Sequence, residues 1–305
     1  MPKDDRNQAY HRLLDEVNQA HAVRRSLYAD LETELGENKR VVALCTSFRW
    51  PVLIEDRDAD MLEEALRNSD MHGRELVLIV NSAGGLALPA ERIVNICRTY
   101  SKGGKYAVIV PKMAKSAATM VCLGADRIGM SRTSELGPID PQISIIDESG
   151  GRYLAAHEIV ESYEELMRKA NRTSGRIEPY LQQLQRFDAR DVRAVRSARE
   201  LSENIAVRCL QRGMLRGRSS REIRKKIKPF LDPRQTIDHG RAIYHDVAAG
   251  CGLRVELHEA ESSVWSVVWQ LYQKLNYVLT AMPVGKVIES FGESWVASVE
   301  APRSV

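Results

Sequence analysis

Two short apolar runs constrain this fold more than any other feature of the chain. Leu76-Val77-Leu78-Ile79-Val80 and Tyr106-Ala107-Val108-Ile109-Val110 are rich in β-branched residues and uninterrupted by charge, the pattern of strands buried on both faces of a parallel sheet. Each ends in a loop of small or polar residues that opens a helix. After the first come Asn81-Ser82-Ala83-Gly84-Gly85 and a helix expected from about Leu88 to Thr99. After the second come Pro111-Lys112-Met113-Ala114-Lys115 and a small-residue helix over Ser116 to Leu123. Arg40 to Cys45 reads as a further buried strand and Asp60 to Arg67 as a helix, so strand and helix alternate. In open α/β sheets chemistry gathers at the carboxyl ends of the strands, and both loops lie there.

The 305 residues suit one large α/β domain with appendages. The expected division is a helical N-terminal arm over 1–36, a catalytic core over 37–175 and a mainly helical region over 176–305, partly packed on the core. Leu13, Val17, Ala20, Leu27, Leu31 and Leu35 recur at roughly helical steps, as an arm or as a helix packed on its own domain. Beyond the turn-rich stretch Asp147 to Gly151 the sequence is helical and arginine-rich up to about Lys228, where Pro229 and Pro233 are expected to close it. Arg208 to Lys228 holds nine basic residues against Glu222. With no nucleic-acid-binding motif and no interleaved aromatics, this stripe reads as a solvated face or a docking surface, and no nucleic acid is expected. Val264, Val268, Leu271, Leu275 and Val278 are spaced for an interhelical seam between subunits or for burial in the chain's own helical region.

Composition excludes several classes. An apolar share of 44% fits a globular protein, and a net charge of +3 names no partner. The five cysteines are widely spaced with no C-x-x-C pair, so neither a disulfide framework nor a metal site is indicated and a reducing, cytoplasmic setting is expected. No apolar leader follows Met1. The most apolar helical stretch, Val264 to Met282, is interrupted by Gln270, Gln273, Lys274 and Asn276, so no transmembrane segment is expected and the protein reads as soluble.

Acyl transfer needs a nucleophile, a base and backbone N–H groups aimed at the developing oxyanion. Gly84 and Gly85, lacking Cβ atoms, let the chain turn sharply after its strand and expose amides to a substrate carbonyl. A Gly-Gly pair also suits a tight turn or a phosphate loop. Ser116 begins a helix of small residues, where the helix dipole favours negative charge and the amide of Ala117 can join an oxyanion hole. It also suits the plain role of a helix N-cap.

These loops resemble a known family. Asn81-Ser82-Ala83-Gly84-Gly85 is similar to the Asn-Ser-Pro-Gly-Gly loop of Clp peptidases, and Ala114-Lys115-Ser116-Ala117-Ala118 resembles the nucleophile segment of signal peptide peptidase A. Gly124 to Ser131 and Ser134-Glu135-Leu136-Gly137-Pro138-Ile139 are similar to the landmarks that follow it. Asp140-Pro141-Gln142 points to the branch called serine dehydrogenase proteinases. The resemblance runs from about Arg74 to Gln142 and, more weakly, from Thr236 to Val255. It implies a Clp/crotonase-like fold with a parallel sheet and crossover helices, Ser116 as nucleophile, and Gly84, Gly85 and Ala117 around the oxyanion.

The base departs from the family pattern. Clp peptidases place a histidine about twenty-five residues after the serine, where this chain offers only Asp140. Signal peptide peptidase relatives use a lysine, in one branch about forty residues downstream, where this chain has His157. A histidine can accept the serine proton near neutral pH, although His157 also suits an ordinary surface residue of a helix start. The order of candidates is His157, then His239, then Lys169. Lys115, next to the nucleophile, is expected to point away from it.

The resulting expectation is a serine endopeptidase cutting unstructured or partly unfolded polypeptide through an acyl-enzyme on Ser116, with no metal or other cofactor. The resemblance also implies a homo-oligomer, and a partner protein is compatible with it. The alternatives are a scaffold that binds peptide or protein without catalysis and, less favoured because of Ser116, an acyl-coenzyme A hydratase or isomerase.

Overall fold

The structure is a computed structural model that describes residues 20–36, 38–147, 150–232 and 242–299. A short 3₁₀ turn leads into α1 (Arg25–Leu35), followed by β1 (Lys39–Thr46), α2 (Asp56–Asn68), β2 (Glu75–Asn81), α3 (Ala87–Tyr100) and β3 (Tyr106–Val110). Then come β4 (Met113–Ala114), α4 (Ala117–Leu123), β5 (Arg127–Met130), β6 (Glu135–Leu136), and the hairpin of β7 (Gln142–Asp147) and β8 (Gly150–Ala155). Helices α5 (Ala156–Arg172), α6 (Glu178–Leu184), α7 (Ala189–Arg212), α8 (Ser220–Lys226), α9 (Lys228–Leu231) and α10 (His245–Gly250) precede β9 (Val255–Leu257). The described chain ends with α11 (Ser263–Ala281), β10 (Val284–Ser290) and β11 (Ser294–Ser298).

Seven strands form one sheet in the order β11-β10-β1-β2-β3-β5-β9. The five from β1 to β9 are parallel, and β10 and β11 run antiparallel at one edge. The apolar runs are continuous because both faces are covered. Val42, Leu44, Leu76, Leu78, Val80, Val108 and Val110 face the core shared with α2, α3, α4 and α7. Their sequence neighbours Val41, Ala43, Cys45, Val77, Ile79, Ala107 and Ile109 face a second core under α1 and α11, the alternation that strand geometry imposes.

Several expectations are refined here. Of the N-terminal region, the described part packs on its own domain through Leu27, Tyr28 and Leu31. Leu13 and Val17 lie outside the described residues. The 176–305 region contributes β9, β10 and β11 to the main sheet. Pro229 opens α9 instead of closing a helix, consistent with proline's tolerance in a first turn. The seam reading of α11 is overturned, since Val268, Leu271, Leu275 and Val278 are buried against α1, β1 and β10. In the basic stripe Arg208 pairs with Glu91, Arg218 with Glu222 and Arg224 with Glu203, as a solvated face does. Among the described residues no helix is long and apolar enough to cross a membrane.

Candidate active site

The ends of β2 and β3 are stitched together before any catalytic side chain is considered. Ser82 N donates to Met113 O at 3.0 Å and Lys115 N to Ser82 O at 3.0 Å, while Met113 N donates to Asn81 Oδ1 at 3.2 Å. The Ser82 hydroxyl, joined to Thr46 Oγ1 at 2.9 Å, accepts the Gly84 N–H at 3.0 Å. This locks the glycine loop against the segment that carries Ser116.

Ser116 has φ 48° and ψ −118°, and alone among the described non-glycine residues it has a positive φ. A serine is strained there, so the surrounding structure must impose the turn. Gly84, itself at φ 105°, allows it. A Cβ on Gly84 would stand 2.5 Å from Lys115 O and 2.8 Å from Ser116 Cβ. A sharp strand-to-helix turn of this kind presents the serine side chain at the head of the sheet. The N-cap reading does not hold, because Ser116 Oγ makes no capping hydrogen bond and the backbone is not in the extended conformation that N-caps adopt.

The three expected amides divide into two kinds. Gly84 N–H is taken by Ser82. Gly85 forms a parallel bridge with Ile54, made by Ile54 N donating to Gly84 O at 2.8 Å and Leu86 N donating to Ile54 O at 2.9 Å. In such a bridge the central residue's own N–H points away from the neighbouring strand, and Gly85 N–H donates to no described residue. Ala117 N opens α4, where the first amides have no intrahelical acceptor. Gly85 and Ala117 therefore offer donors, and Gly84 shapes the turn.

Lys115 points away from Ser116, as expected, its Nζ donating to Glu135 at 2.7 Å and to Leu136 O at 3.3 Å. Glu135 also lines a groove of about 820 Å³ with Lys112, Tyr272 and Tyr277, which Ser116 does not line. Thr119, buried in α4, donates to Ala114 O at 2.7 Å and accepts Gly137 N–H at 3.1 Å. Leu136 N donates to Ile243 O and Ile139 N to Phe230 O, both at 2.9 Å, so the segment leading to Asp140 is held from three sides.

His157, in the first turn of α5, is buried, with 9% exposure. Its Nδ1 lies 3.0 Å from Asp140 Oδ2, and its backbone N–H donates to the same oxygen at 3.2 Å. A carboxylate only accepts, so a neutral imidazole bonded to it in this way carries its proton on Nδ1 and leaves the Nε2 lone pair free. The carboxylate thus orients the imidazole. Asp140 stands where Clp peptidases place their histidine, and its pairing with a histidine seventeen positions later is invisible in the sequence because the hairpin of β7 and β8 brings them together. No hydrogen bond joins Ser116 Oγ to His157 or to another described residue. Lys169 is exposed and paired with Glu165 at 2.6 Å, with its pKa held above the ordinary 10.5 by that bond. It stands twelve residues from His157, about 18 Å along the helix. His239 lies outside the described residues.

Competing nucleophiles are few. All five cysteines are free and buried, and burial pushes the Cys45 and Cys97 thiols up to about 12, where they are not reactive thiolates. Among the described residues no group of three or more His, Cys, Asp or Glu side chains could hold a metal ion.

Comparison with known proteins bears on the same segment. Residues 47–170 match the family described as ClpP-like SDH-type serine proteinase. Two uncharacterized proteins of Methanocaldococcus jannaschii are similar, one 35% identical over 112 residues and the other 34% identical over 86. These matches cover 37% and 28% of this chain and span 34% and 29% of the relatives' own lengths. Among solved structures a membrane-bound stomatin-specific protease is similar at 17% identity and a TM-score of 0.28, over 42% of this chain and 64% of that one. Residues 47–170, the segment that matches the ClpP-like SDH-type serine proteinase family, carry the glycine loop, the strained serine and the Asp140–His157 pair.

Proposed function

We propose that this chain is a serine endopeptidase that cleaves unstructured or partly unfolded polypeptide through an acyl-enzyme on Ser116. Ser116 Oγ attacks the scissile carbonyl carbon while its proton passes to His157 Nε2. Asp140 holds the imidazole in the required tautomer and stabilises the imidazolium that forms. The tetrahedral oxyanion is received by the N–H groups of Gly85 and Ala117. Collapse breaks the C–N bond, the leaving amine takes the proton from His157, and water then hydrolyses the ester by the same steps in reverse order. No metal or cofactor enters this chemistry.

The observation that carries the reading is the strained backbone of Ser116 at φ 48°, kept although its hydroxyl serves no structural bond. The absence of a Ser116 to His157 hydrogen bond supports a second reading, a peptide-binding scaffold without turnover. Catalytic hydrogen bonds often tighten only with substrate bound, so we favour the peptidase. Treatment with a fluorophosphonate followed by intact-mass measurement and peptide mapping decides between them. A single adduct on Ser116 is expected; a folded chain that binds peptide yet takes no adduct overturns the peptidase in favour of the scaffold. We further propose that the enzyme works in the cytoplasm as a homo-oligomer, to be checked by its mass in solution.

A further inference from the structure

Asp140 uses only one of its carboxylate oxygens on His157. Oδ2 accepts the ring and backbone N–H groups of His157. Oδ1 is buried and has no hydrogen-bond partner, in a side chain with no exposure at all. Buried polar atoms are rarely left so, and an orphan of this kind calls for a specific account.

Oδ1 faces α7. A cavity of about 10 Å³ adjoins it, lined by Ile139, Asp140, Arg199, Ser202, Glu203 and Leu231. That volume is about what the centre of one water needs. Arg199 Nε lies 3.8 Å from Oδ1, close enough to act as its counter-charge and too far for a direct hydrogen bond. Ser202, three residues on and therefore on the same helix face, is buried at 2% exposure. Glu203, the other charged residue of the lining, is bound to Arg224 Nε. Arg199 is thus the cation that faces Asp140.

We infer that this cavity is a site for one ordered water bridging Asp140 Oδ1 to Arg199 and Ser202, and that Arg199 is a positioning residue for the Asp140–His157 pair. The guanidinium and the water fix the rotation of the Asp140 carboxylate, which aims the imidazole through Oδ2. The water has three polar partners, as buried waters commonly do, and a hydrogen bond from it to a carboxylate is charge-assisted. Helix α7 lies beyond residues 47–170, so a segment outside the family match sets the geometry of the base. The inference about turnover rests on the peptidase reading; the inference about the dyad does not.

The test uses the full chain and two readouts. In wild type, peptide hydrolysis gives kcat and KM, and ¹⁵N-histidine labelling gives the Nδ1–H resonance of His157, assigned by its loss in His157→Gln. Arg199→Met is expected to lower kcat by about tenfold or more with KM within about twofold, and to broaden or remove the Nδ1–H resonance by faster exchange. Arg199→Lys should restore most of both, because it keeps the charge, and Ser202→Ala should show a smaller loss of each. Unchanged kcat and resonance in Arg199→Met overturn the inference. So does an Arg199→Lys variant that is folded by circular dichroism yet as impaired as the methionine variant. If wild type hydrolyses no peptide, the peptidase reading fails, and the resonance alone then decides whether Arg199 positions the dyad.

Discussion

Two buried ionic arrangements in this chain are built in opposite ways. Arg24, just before α1, and Glu289 in β10 are 2% and 0% exposed at their side chains and meet in a bidentate pair, Nε to Oε1 at 2.8 Å and Nη2 to Oε2 at 2.6 Å. Ser294 Oγ adds a further bond to Oε2 at 2.7 Å. Asp140 and His157 are also buried, at 0% and 11% side-chain exposure, but one carboxylate oxygen is orphaned, and the Nε2 of the imidazole bonds to no described residue. The first arrangement closes on itself, as a buried pair must if its Coulomb attraction is to offset desolvation. The second keeps open positions, an orphaned carboxylate oxygen at one end and an imidazole nitrogen without a described partner at the other. Closure marks a structural role here, and under the proposed function open valence is what a substrate would complete.

The largest effect expected from this contrast is on the open arrangement. Ser116→Ala and His157→Ala should each lower turnover by about a thousandfold or more, since members of one catalytic unit fail together. Ser116→Ala should leave the melting temperature unchanged, because its hydroxyl makes no structural bond. Lys169→Ala, on the solvent side of α5, should retain normal turnover. Near-normal hydrolysis by His157→Ala would return the base to His239 and break the comparison.

Next in size is the closed arrangement, where stability and not activity should respond. Glu289→Gln leaves the Arg24 guanidinium buried against a neutral partner, at a cost of about 3–5 kcal/mol, or a melting point lower on the order of 10 °C. The double variant Arg24→Met with Glu289→Leu should recover most of that loss, because a buried pair replaced by apolar groups is often neutral. A double variant as unstable as Glu289→Gln would mean that the pair contributes more than its own satisfaction.

How much of this was legible in the sequence differs between the same two regions. The apolar runs that became β1, β2 and β3 announced themselves because a strand buried on both faces has no polar interruptions. The loops at their carboxyl ends carried Gly84, Gly85 and Ser116 with them. β10 and β11 were missed because Gly285, Lys286, Glu289 and Ser290 break the apolar pattern, and their polar side chains are buried only through partners remote in sequence. Lys286, for example, is matched by Glu55 and Asp58 at 2.7 and 2.9 Å. Asp140 as the partner of His157, and Arg199 behind it, were hidden for the same reason: local spacing cannot report a contact made by tertiary folding.

A smaller effect is expected at Gly85, where the requirement for glycine has two causes. A Cβ there would stand 2.2 Å from Ile54 N and 2.3 Å from Ile54 O, so Gly85→Ala must displace the segment next to it, at about 1–3 kcal/mol. It should also lower kcat, because the displaced amide no longer faces the oxyanion. A variant with normal stability and normal kcat would remove Gly85 from the oxyanion site, while a loss confined to KM would reassign it to substrate positioning.

The smallest effect isolates what burial does to a titratable group without a built partner. His258, at the end of β9, is 8% exposed and stacks on Trp265 with ring centroids 5.9 Å apart. Burial holds its pKa below the ordinary 6.5, with Arg127 acting in the same direction and Glu256 opposing. The unfolded chain therefore takes up a proton at this histidine before the folded chain does. By linkage, the stability it contributes is complete above pH 6.5 and is lost as pH falls below that value toward its lower folded pKa. His258→Gln removes the titration, so the variant's urea midpoint should fall less than that of wild type between about pH 7.5 and pH 5.5. Because the two proteins share every other titrating group, the difference of their pH slopes reports His258 alone. Equal slopes would mean that the folded protein admits a proton at His258 as readily as the unfolded chain does. Burial by itself would then not separate the open dyad from the closed pair, and the distinction would rest on bonding alone.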